Sequence, residues 1–366
     1  MKTTEEFEIT YPRYVFRRKV LNLVGRGLLR LLTHPQVCGL ENIPAEGPVI
    51  LAGNHVSTLE PLLMAVYPRR QVELIGAGDL PFEGLIDQIV AFYGFIPINR
   101  GNLDRKAMTK ALGVLKQDGV LGIYPEGGTW NPGNMKAQVG VSWLSHRAQA
   151  PVVPIGFSGF RNSLTRALRF ERPVVQMNVG NPIPALKLED ETRTIKDTYQ
   201  DYADMVLQQI NALVDPQDFL LVPQHSEYQL HVQVEGGDNA RENLEIAGAD
   251  ALAEFLYTPV MLNSLAKNLK KPVQPLYPTD QPRQNHQFSE ALKAVLDVLA
   301  ENPAFFTYRL GVGKGHEAES ALRQVLQLLE SAQKSAKTVI LDASSRLRFS
   351  DGRVEEKSHQ YRITPN

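Results

Sequence analysis

A histidine and a carboxylate with four residues between them, His55 and Glu60, are the best candidates in this chain for joint chemistry. They follow the apolar run Val49–Ala52, which predicts a buried strand. Ligand and catalytic sites of open α/β sheets lie at the carboxyl ends of such strands. A carboxylate fixes the tautomer of a neighbouring imidazole and stabilises the imidazolium, so the pair predicts a histidine that acts as a general base.

The two side chains can meet only if the histidine precedes a helix. Residues five apart on a regular helix point about 140° away from each other. The sequence allows a helix to begin after His55, because residues 57–60 match a capping box with Ser57 as N-cap, and Pro61 suits a first helical turn. The same pattern supports another interpretation, in which Glu60 only caps the helix and His55 is a loop histidine bonded to backbone.

Three further segments of the first half join an apolar run to residues that could bind a substrate. They are Gly94–Gly101, which leads into Arg100; Val120–Tyr124, a predicted buried strand that ends in Pro125–Thr129; and Pro151–Phe157, an apolar strand interrupted by Pro154. Each also has a simpler interpretation. Arg100 could be a solvated charge, the pair of glycines a plain turn, and Pro154 the mark of an edge strand or a bulge.

In order, the four segments resemble the motifs of the glycerolipid acyltransferases, the 1-acylglycerol-3-phosphate acyltransferases and their relatives, over about residues 35–215. That family has a His-x4-Asp motif, a segment that ends in arginine, a segment like Phe-Pro-Glu-Gly-Thr-Arg, and an apolar segment that contains proline. This chain departs twice: Glu60 replaces the aspartate, and the third segment reads Glu-Gly-Gly-Thr-Trp, with Trp130 near the usual arginine. The first departure leaves the histidine–carboxylate chemistry open, and the second leaves the acceptor head group open.

The resemblance implies an α/β fold, a glycerolipid acyltransferase-like sheet with flanking helices, and an acyl transfer without a covalent enzyme intermediate. His55 would deprotonate the acceptor hydroxyl, which attacks the acyl thioester, and Glu60 would hold and polarise His55. Arg100 would bind the acceptor phosphate, because a guanidinium group matches phosphate oxygens, and Glu126 would contact acceptor hydroxyls. Backbone N–H groups would add an anion-binding nest at Gly127, Gly128 and Thr129.

The resemblance also implies the reaction partners. The expected reaction moves a fatty acyl group from acyl-CoA or acyl-ACP to the free hydroxyl of a lysophospholipid, most readily 1-acylglycerol 3-phosphate, which would give phosphatidic acid. Trp130 keeps another lyso-lipid or an aminoacyl lipid open as the acceptor, and Glu60 keeps open a lipid-binding relative that has lost turnover. No cofactor and no metal is expected, since His225 and His231 lack the accompanying ligands of a metal site.

The composition fits a soluble or peripheral enzyme. The 366 residues are 43% apolar with a net charge of −1, which allows a sizeable core and gives no general attraction to nucleic acid. The single cysteine, Cys38, suits a reducing cytoplasm and is expected to be a small core residue. The first residues lack the apolar region of a signal peptide, and no apolar run reaches the length of about 18 residues typical of a transmembrane helix. The expected location is therefore the cytoplasmic face of the membrane, as a peripheral protein.

The membrane contact is predicted in residues 13–31, which contain no acidic residue. The basic residues of this segment are Arg13, Arg17, Arg18, Lys19, Arg26 and Arg30. Apolar residues lie between them at helical intervals: Phe16, Val20, Leu23, Val24, Leu28 and Leu31. A basic amphipathic helix can lie in a membrane interface, with basic side chains near head groups and apolar ones at the acyl boundary. Alternatively, the helix covers the protein's own core and exposes a solvated basic face.

Three segments are predicted along the chain. Residues 1–34 form the basic amphipathic region, residues 35–220 the acyltransferase domain, and residues 225–366 a C-terminal domain whose role the sequence leaves open. Within the second segment, helices are expected from Asn102 to Gln117 and from about Thr194 to Leu213.

The C-terminal segment is expected to be a smaller α/β or α+β domain. Its pattern predicts strands at Tyr228–Val234, Phe305–Leu310 and Thr338–Leu341, helices at Glu290–Ala300 and Glu317–Ser331, and a hairpin turn at Asp351-Gly352. Gly311–His316 resembles a phosphate loop but lacks the Walker spacing. A glycine-rich turn that leads into a helix is the better interpretation.

Overall fold

The structure is a computed structural model. It describes residues 8–57, 59–77, 92–98, 104–127, 137–188, 193–237, 240–257, 273–277, 281–301, 305–306 and 310–366. These residues form two compact units. The N-terminal unit ends at Val222, and the C-terminal unit begins at Pro223.

The described residues of the N-terminal unit build a seven-stranded sheet. Its strands are β1 (His34–Cys38), β2 (Val49–Gly53), β3 (Val72–Ala77), β4 (Ile96–Ile98), β5 (Val120–Ile123), β6 (Val152–Ser158) and β7 (Val174–Val179). They lie in the order β1-β7-β6-β2-β5-β3-β4, and all neighbours are parallel except β6 and β7. Because β1 runs with β7 and against β6, its first residue, His34, lies at the sheet edge where β2 ends.

Helices cover both faces of this sheet. They are α1 (Val15–Leu32), α2 (Glu60–Val66), α3 (Arg105–Lys116), α4 (Gly140–Ala148), α5 (Ser163–Leu168), α6 (Ile195–Asn211) and α7 (Pro216–Leu220), with a 3-10 turn at Leu40–Asn42. Asp104 caps α3 and Thr194 caps α6, each by accepting a backbone N–H with its side chain. The helices predicted at Asn102–Gln117 and Thr194–Leu213 are thereby confirmed over their described residues.

The core of the N-terminal unit lies in two layers. Ile50 and Ala52 of β2 face one layer with α3, α4 and α6, while Val49 and Leu51 face the other with α1 and α2. Every residue of β2, β5 and β6 is buried, which explains why these strands read as continuous apolar runs. The expected α/β fold with flanking helices is confirmed.

Two residues of the sheet differ from their expected positions. Pro154 lies on β6, which has neighbours on both sides, so the prediction of an edge strand is wrong. Its carbonyl accepts the N–H of Gly180 at 2.8 Å, and Val152 pairs with Ile183, so the ladder is irregular where the proline lacks its N–H. Cys38 is exposed and not a core residue, because β1 is an edge strand whose side chains alternate outward.

Two arginines of α1, and one that precedes the helix, face the protein. Arg18 is buried, and its Nη2 donates to Oε2 of Glu73 on β3 at 2.9 Å. Arg13 binds the same carboxylate at 3.0 Å, and Arg26 donates to the carbonyl of Val66. The helix therefore covers the core of its unit, as the alternative interpretation expected, and Lys19 and Arg30 are exposed. Arg18 is the exception, because the buried carboxylate of Glu73 needs cationic partners.

Six apolar side chains of α1 face away from the sheet, whereas Leu29 is buried in the core. Phe16 is 82% exposed, Leu23 76% and Leu31 61%, and Val20, Val24 and Leu28 are also exposed. An exposed row of this kind on one helix marks a surface that binds a partner or a membrane. Within the part of the chain that the structure describes, no helix combines the length and apolar character needed to cross a membrane.

The C-terminal unit has a five-stranded sheet among its described residues. Its strands are β8 (Pro223–Glu235), β9 (Arg241–Leu244), β10 (Arg283–Gln284), β11 (Thr338–Phe349) and β12 (Val354–Thr364), in the order β10-β12-β11-β8-β9. Its helices are α8 (Ala249–Leu256), α9 (Asn285–Glu301) and α10 (Val312–Lys334), with a 3-10 turn at Gln274–Leu276. Leu230, Val232 and Val234 pack against all three helices in a single core. The smaller α+β domain is confirmed.

Details of the C-terminal unit decide three predictions. The prediction of a strand at Phe305–Leu310 is wrong, because the described residues of this segment are helical and Phe305 is buried in the core. The turn at Asp351-Gly352 joins β11 to β12, with Gly352 at a φ of 83°. Gly311 precedes α10 as a glycine turn, and Lys314 inside the helix pairs with Glu254 at 2.7 Å. This confirms the turn interpretation over the phosphate loop.

Candidate active site

The candidate site begins where β2 ends against β6. A Cβ atom on Gly53 would lie 2.7 Å from the ring of Phe157, so only glycine fits there. The next residue, Asn54, is fully buried and bonds both backbone groups of Phe157: its Nδ2 donates to the carbonyl at 2.9 Å, and its Oδ1 accepts the N–H at 2.7 Å. These contacts fix the direction in which the chain leaves the sheet, and hence the position of His55.

Glu60 is the first residue of α2, and His55 lies before the helix. The carboxylate is fully buried; Oε1 accepts the N–H of Val56 at 3.0 Å, and Oε2 faces Nδ1 of His55 at 3.6 Å. The predicted capping box is wrong, because Leu59 is the N-cap and Ser57 accepts only the N–H of Leu59, at 3.4 Å. The bond between Glu60 and Val56 closes this loop, and the helix begins at Glu60 instead of directly after Ser57. This position brings the carboxylate to the imidazole.

The distance between Nδ1 of His55 and Oε2 of Glu60 is compatible with a general base in the substrate-free state. At 3.6 Å the His55 and Glu60 atoms are not hydrogen bonded, and neither has another partner among the described residues. A shift of about 0.5 Å would form the bond, and catalytic hydrogen bonds are often long before substrate binds. With Nδ1 directed at the carboxylate, the geometry favours the tautomer that carries its proton on Nδ1 and leaves Nε2 as an acceptor.

Tyr124 holds the other side of the imidazole. Its ring stacks on that of His55 with centroids 4.4 Å apart and planes inclined by 24°. Burial, and secondarily the charge of Glu60, raise the pKa of the Tyr124 hydroxyl well above its usual value, so the ring stays neutral. In the sequence, Tyr124 is distinguished only as the last residue of the apolar run Val120–Tyr124. Its position at the end of β5, next to β2, was the signal that could have placed it beside His55.

Glu126 supports the backbone of His55 from the turn after β5. It is 1% exposed, and its Oε2 accepts the N–H of His55 at 3.1 Å. Burial raises the pKa of Glu126 to about 8; the His55 N–H opposes that rise and the charge of Glu60 adds to it. The carboxyl group is therefore mostly protonated at neutral pH. The N–H of Gly127 donates to the carbonyl of Tyr124 at 2.9 Å, so in this structure it is engaged within the turn.

The structure brings four of the predicted site residues together at the carboxyl ends of β2 and β5: His55, Glu60, Glu126 and Gly127. Arg100, Gly128 and Thr129 lie outside the described residues, as does Trp130. Asn54 and Tyr124 are the residues of this site that the sequence analysis did not single out.

Comparison with known proteins identifies the domain that carries this site. Residues 34–158 match the family model described as Acyltransferase. The 1-acyl-sn-glycerol-3-phosphate acyltransferase of Borreliella burgdorferi is 24% identical over 158 residues, which cover 42% of this chain and 63% of that protein. The beta form of this enzyme from Homo sapiens is 31% identical over 143 residues, 37% of this chain and 51% of that protein. Residues 34–158 therefore form an acyltransferase domain that is similar to the glycerolipid acyltransferases.

The resemblance seen in the sequence is thereby confirmed for the acyltransferase domain. The chain spans between 51% and 63% of the length of these two relatives. A crystal structure of the 1-acyl-sn-glycerophosphate acyltransferase PlsC from Thermotoga maritima aligns with 56% of this chain and 85% of its own, with a TM-score of 0.40 and 18% identity.

Replacing Glu126 with glutamine should flatten the pH dependence of the stability of the acyltransferase domain. The folded pKa of about 8 lies above the ordinary value of 4.5, so the unfolded chain releases this proton first as pH rises. From this group the wild type should lose up to about 1.4 kcal/mol of unfolding free energy per pH unit between about pH 5 and pH 8. The glutamine side chain of the variant would stay neutral throughout. In urea unfolding across this range, the free energy of unfolding of the variant should rise relative to that of the wild type as pH rises.

The matched control for this experiment is Glu46→Gln, at an exposed position of the same unit. Its stability should follow that of the wild type at every pH. Parallel curves for the wild type and Glu126→Gln would show that the carboxyl of Glu126 ionises as readily in the folded protein as in the unfolded chain.

Proposed function

We propose that this chain transfers a fatty acyl group from acyl-CoA or acyl-ACP to the free hydroxyl of a lysophospholipid, with 1-acylglycerol 3-phosphate as the first candidate. The observation that carries the proposal is the half-buried imidazole of His55 with Nδ1 facing the buried carboxylate of Glu60. The names of the relatives of the acyltransferase domain support the choice of acceptor. Arg100 is the proposed ligand of the acceptor phosphate.

In the proposed mechanism, Nε2 of His55 takes the proton of the acceptor hydroxyl as its oxygen attacks the thioester carbonyl. A carbon–oxygen bond forms and the carbon–sulfur bond breaks. The thiolate then receives the proton from the imidazolium, so the site returns to its starting state without a covalent enzyme intermediate. Glu60 stabilises the imidazolium while it exists, and this attraction is strong because the carboxylate is fully buried.

The test is the transfer of labelled acyl groups to a panel of lyso-lipids. Both acyl-CoA and acyl-ACP are offered with 1-acylglycerol 3-phosphate, with other lysophospholipids and with an aminoacyl lipid. We expect labelled phosphatidic acid from 1-acylglycerol 3-phosphate. Preference for another acceptor would support the alternative that Trp130 raised. Lipid binding without turnover on any acceptor would contradict the proposal and support a lipid-binding relative.

We also propose that the protein works as a peripheral protein on the cytoplasmic face of a membrane, with α1 as the contact. The exposed row Phe16, Leu23 and Leu31 supports this, because side chains of this size gain about 1.5–3 kcal/mol each when fully removed from water. This orientation differs from the predicted one, since Arg18 of α1 and Arg13, which precedes the helix, bind Glu73 and face the protein and not the head groups.

A variant with Phe16, Leu23 and Leu31 each changed to serine should lose at least tenfold in binding to phospholipid vesicles, measured by flotation. The matched control changes Val139, Leu188 and Ile195 to serine. These residues are 40%, 39% and 60% exposed and belong to segments that pack on the opposite face of the sheet. Equal flotation of the two variants would place the membrane contact elsewhere.

A further inference from the structure

An open cleft of about 1010 Å³ lies beside the C-terminal half of α1 and strand β1 in the N-terminal unit. Five of the side chains that line it are basic: Arg26, Arg30, His34, Arg69 and Arg172. None of the described residues that line it is Asp or Glu. In a chain whose net charge is −1, this arginine cleft is a strong local excess of positive charge.

Two arginines of the cleft are held by backbone carbonyls, which do not neutralise their charges. Arg26 donates to the carbonyl of Val66, and Nη2 of Arg172 donates to the carbonyl of Arg30 at 3.0 Å. Within the described ranges, none of the four arginines forms an ion pair with a carboxylate. By contrast, Arg18 on the same helix is fully paired with Glu73. Guanidinium groups gathered without a counter-charge suit the oxygens of a phosphate group.

The positive surface continues along α1. A second cleft of about 440 Å³ shares Arg26 and Arg69 with the first and is also lined by Lys19, Arg70 and the exposed Leu23. Again, the described residues that line it include no carboxylate. The basic groups therefore follow the same helix that carries the exposed apolar row.

Exposed apolar side chains lie close in the chain to two arginines of the cleft. Leu28 and Leu31 of α1, on either side of Arg30 in the chain, are 48% and 61% exposed. Leu168 and Phe170, which precede Arg172, are 66% and 73% exposed. A soluble phosphate gains nothing from such residues, whereas a phosphate at the surface of a bilayer comes with an apolar layer beneath it.

We propose that the arginine cleft binds the phosphate of an anionic phospholipid headgroup in the membrane. The inference rests on the membrane association of α1 proposed above, and it adds a second phosphate site to the one expected from Arg100. Strand β1 lies three positions from β2 in the sheet, a separation of about 14 Å at a strand spacing of about 4.8 Å. The lipid whose headgroup lies in the cleft therefore anchors the protein to the membrane, and it is not the lipid that is acylated at His55.

The test uses vesicle flotation of the full chain with Arg30, Arg69 and Arg172 all changed to glutamine. The control changes Arg105, Arg323 and Arg346 to glutamine, so that both variants lose the same formal charge. On vesicles of equal parts phosphatidylglycerol and phosphatidylcholine, we expect the cleft variant to bind on the order of 100-fold more weakly than the wild type, because each basic residue at an anionic surface contributes roughly fivefold. On phosphatidylcholine alone, the wild type and the cleft variant should bind alike. Equal losses in the two variants, or no loss in the cleft variant, would overturn the proposal.

A competition experiment separates the bilayer from a soluble source of phosphate. At constant ionic strength, neither CoA nor inorganic pyrophosphate should release the wild type from the anionic vesicles. Release by either would mean that the cleft takes a soluble phosphate, against the proposal. Circular dichroism and urea unfolding should show the cleft variant folded as the wild type is.

These readouts do not depend on acyl transfer. If no acyl transfer is found but the cleft variant loses vesicle binding, the proposed enzyme activity fails and the headgroup site stands. If the serine variant of α1 floats normally while the cleft variant does not, the apolar contact fails and the headgroup site again stands.

Discussion

His55→Ala should abolish acyl transfer while the protein remains folded. A general base contributes roughly 10²–10⁴-fold in rate, and no other imidazole stands within the site as the structure describes it. The variant and the wild type are compared in the labelled-acyl assay, with His286→Ala, at an exposed position of the C-terminal unit, as the control. A folded His55→Ala protein with near-normal turnover would contradict the proposed mechanism.

Glu60 gives the sharper version of this experiment. In Glu60→Gln the amide oxygen can still accept the N–H of Val56, so the loop keeps its bond while the imidazolium loses its counter-charge. We expect a severe loss of activity with little change in the urea unfolding midpoint. Glu60→Asp, which restores the aspartate of the family motif, should retain activity. A Glu60→Gln protein that is unstable but fully active per folded molecule would make Glu60 a purely structural residue.

Arg18→Ala should destabilise the N-terminal unit by about 3–5 kcal/mol, the usual effect of removing one partner of a buried ion pair. The side chains of Arg18 and Glu73 are 1% and 0% exposed, and Arg18 also donates to the carbonyls of Tyr93 and Gly94. Without the Arg18 guanidinium, Arg13 is the cationic partner that remains for Glu73 among the described residues. Urea unfolding measures the effect, and Lys19→Ala, at an exposed position of the same helix, is the control.

The double variant Arg18→Leu/Glu73→Leu tests the cause. Because it removes both charges, it should be more stable than Arg18→Ala alone, although the two mutations remove more polar contacts in total. A loss below about 1 kcal/mol in Arg18→Ala would mean that solvent reaches this pair in solution, since exposed ion pairs contribute no more than that.

The sequence was sufficient for the central strands β2, β5 and β6, because continuous apolar runs report burial on both faces, but it did not indicate β1, β3 or β7. It failed where tertiary contacts overrule a local pattern. Residues 57–60 match a capping box, but Glu60 is buried beside His55 and Val56, and the helix begins only at Glu60. The short run Phe305–Leu310 is apolar enough for a buried strand or a buried helix, and its spacing cannot distinguish them.

The orientation of α1 could not be predicted from its own residues, because it too depends on a tertiary contact. An amphipathic helix has two faces, and its own sequence does not say which of them meets the protein. The deciding residue lies elsewhere in the chain: Glu73 stands within the apolar strand β3 and is buried there. A lone charged residue inside the otherwise apolar run Val72–Ala77 was the available signal that a cationic partner would lie against it.

The inward arginines of α1 distinguish the helix in the protein from the same residues as a free peptide. A peptide of residues 15–32 would fold on a bilayer with its leucines down and all of its arginines at the phosphates. In the intact chain Arg18 is committed to Glu73, so α1 cannot roll or detach at the surface without abandoning a buried charge. The N-terminal unit would therefore meet a membrane with α1 held in one orientation on its own core. Truncation of the chain before β1 would remove both Arg13 and Arg18 and leave the buried carboxylate of Glu73 without them.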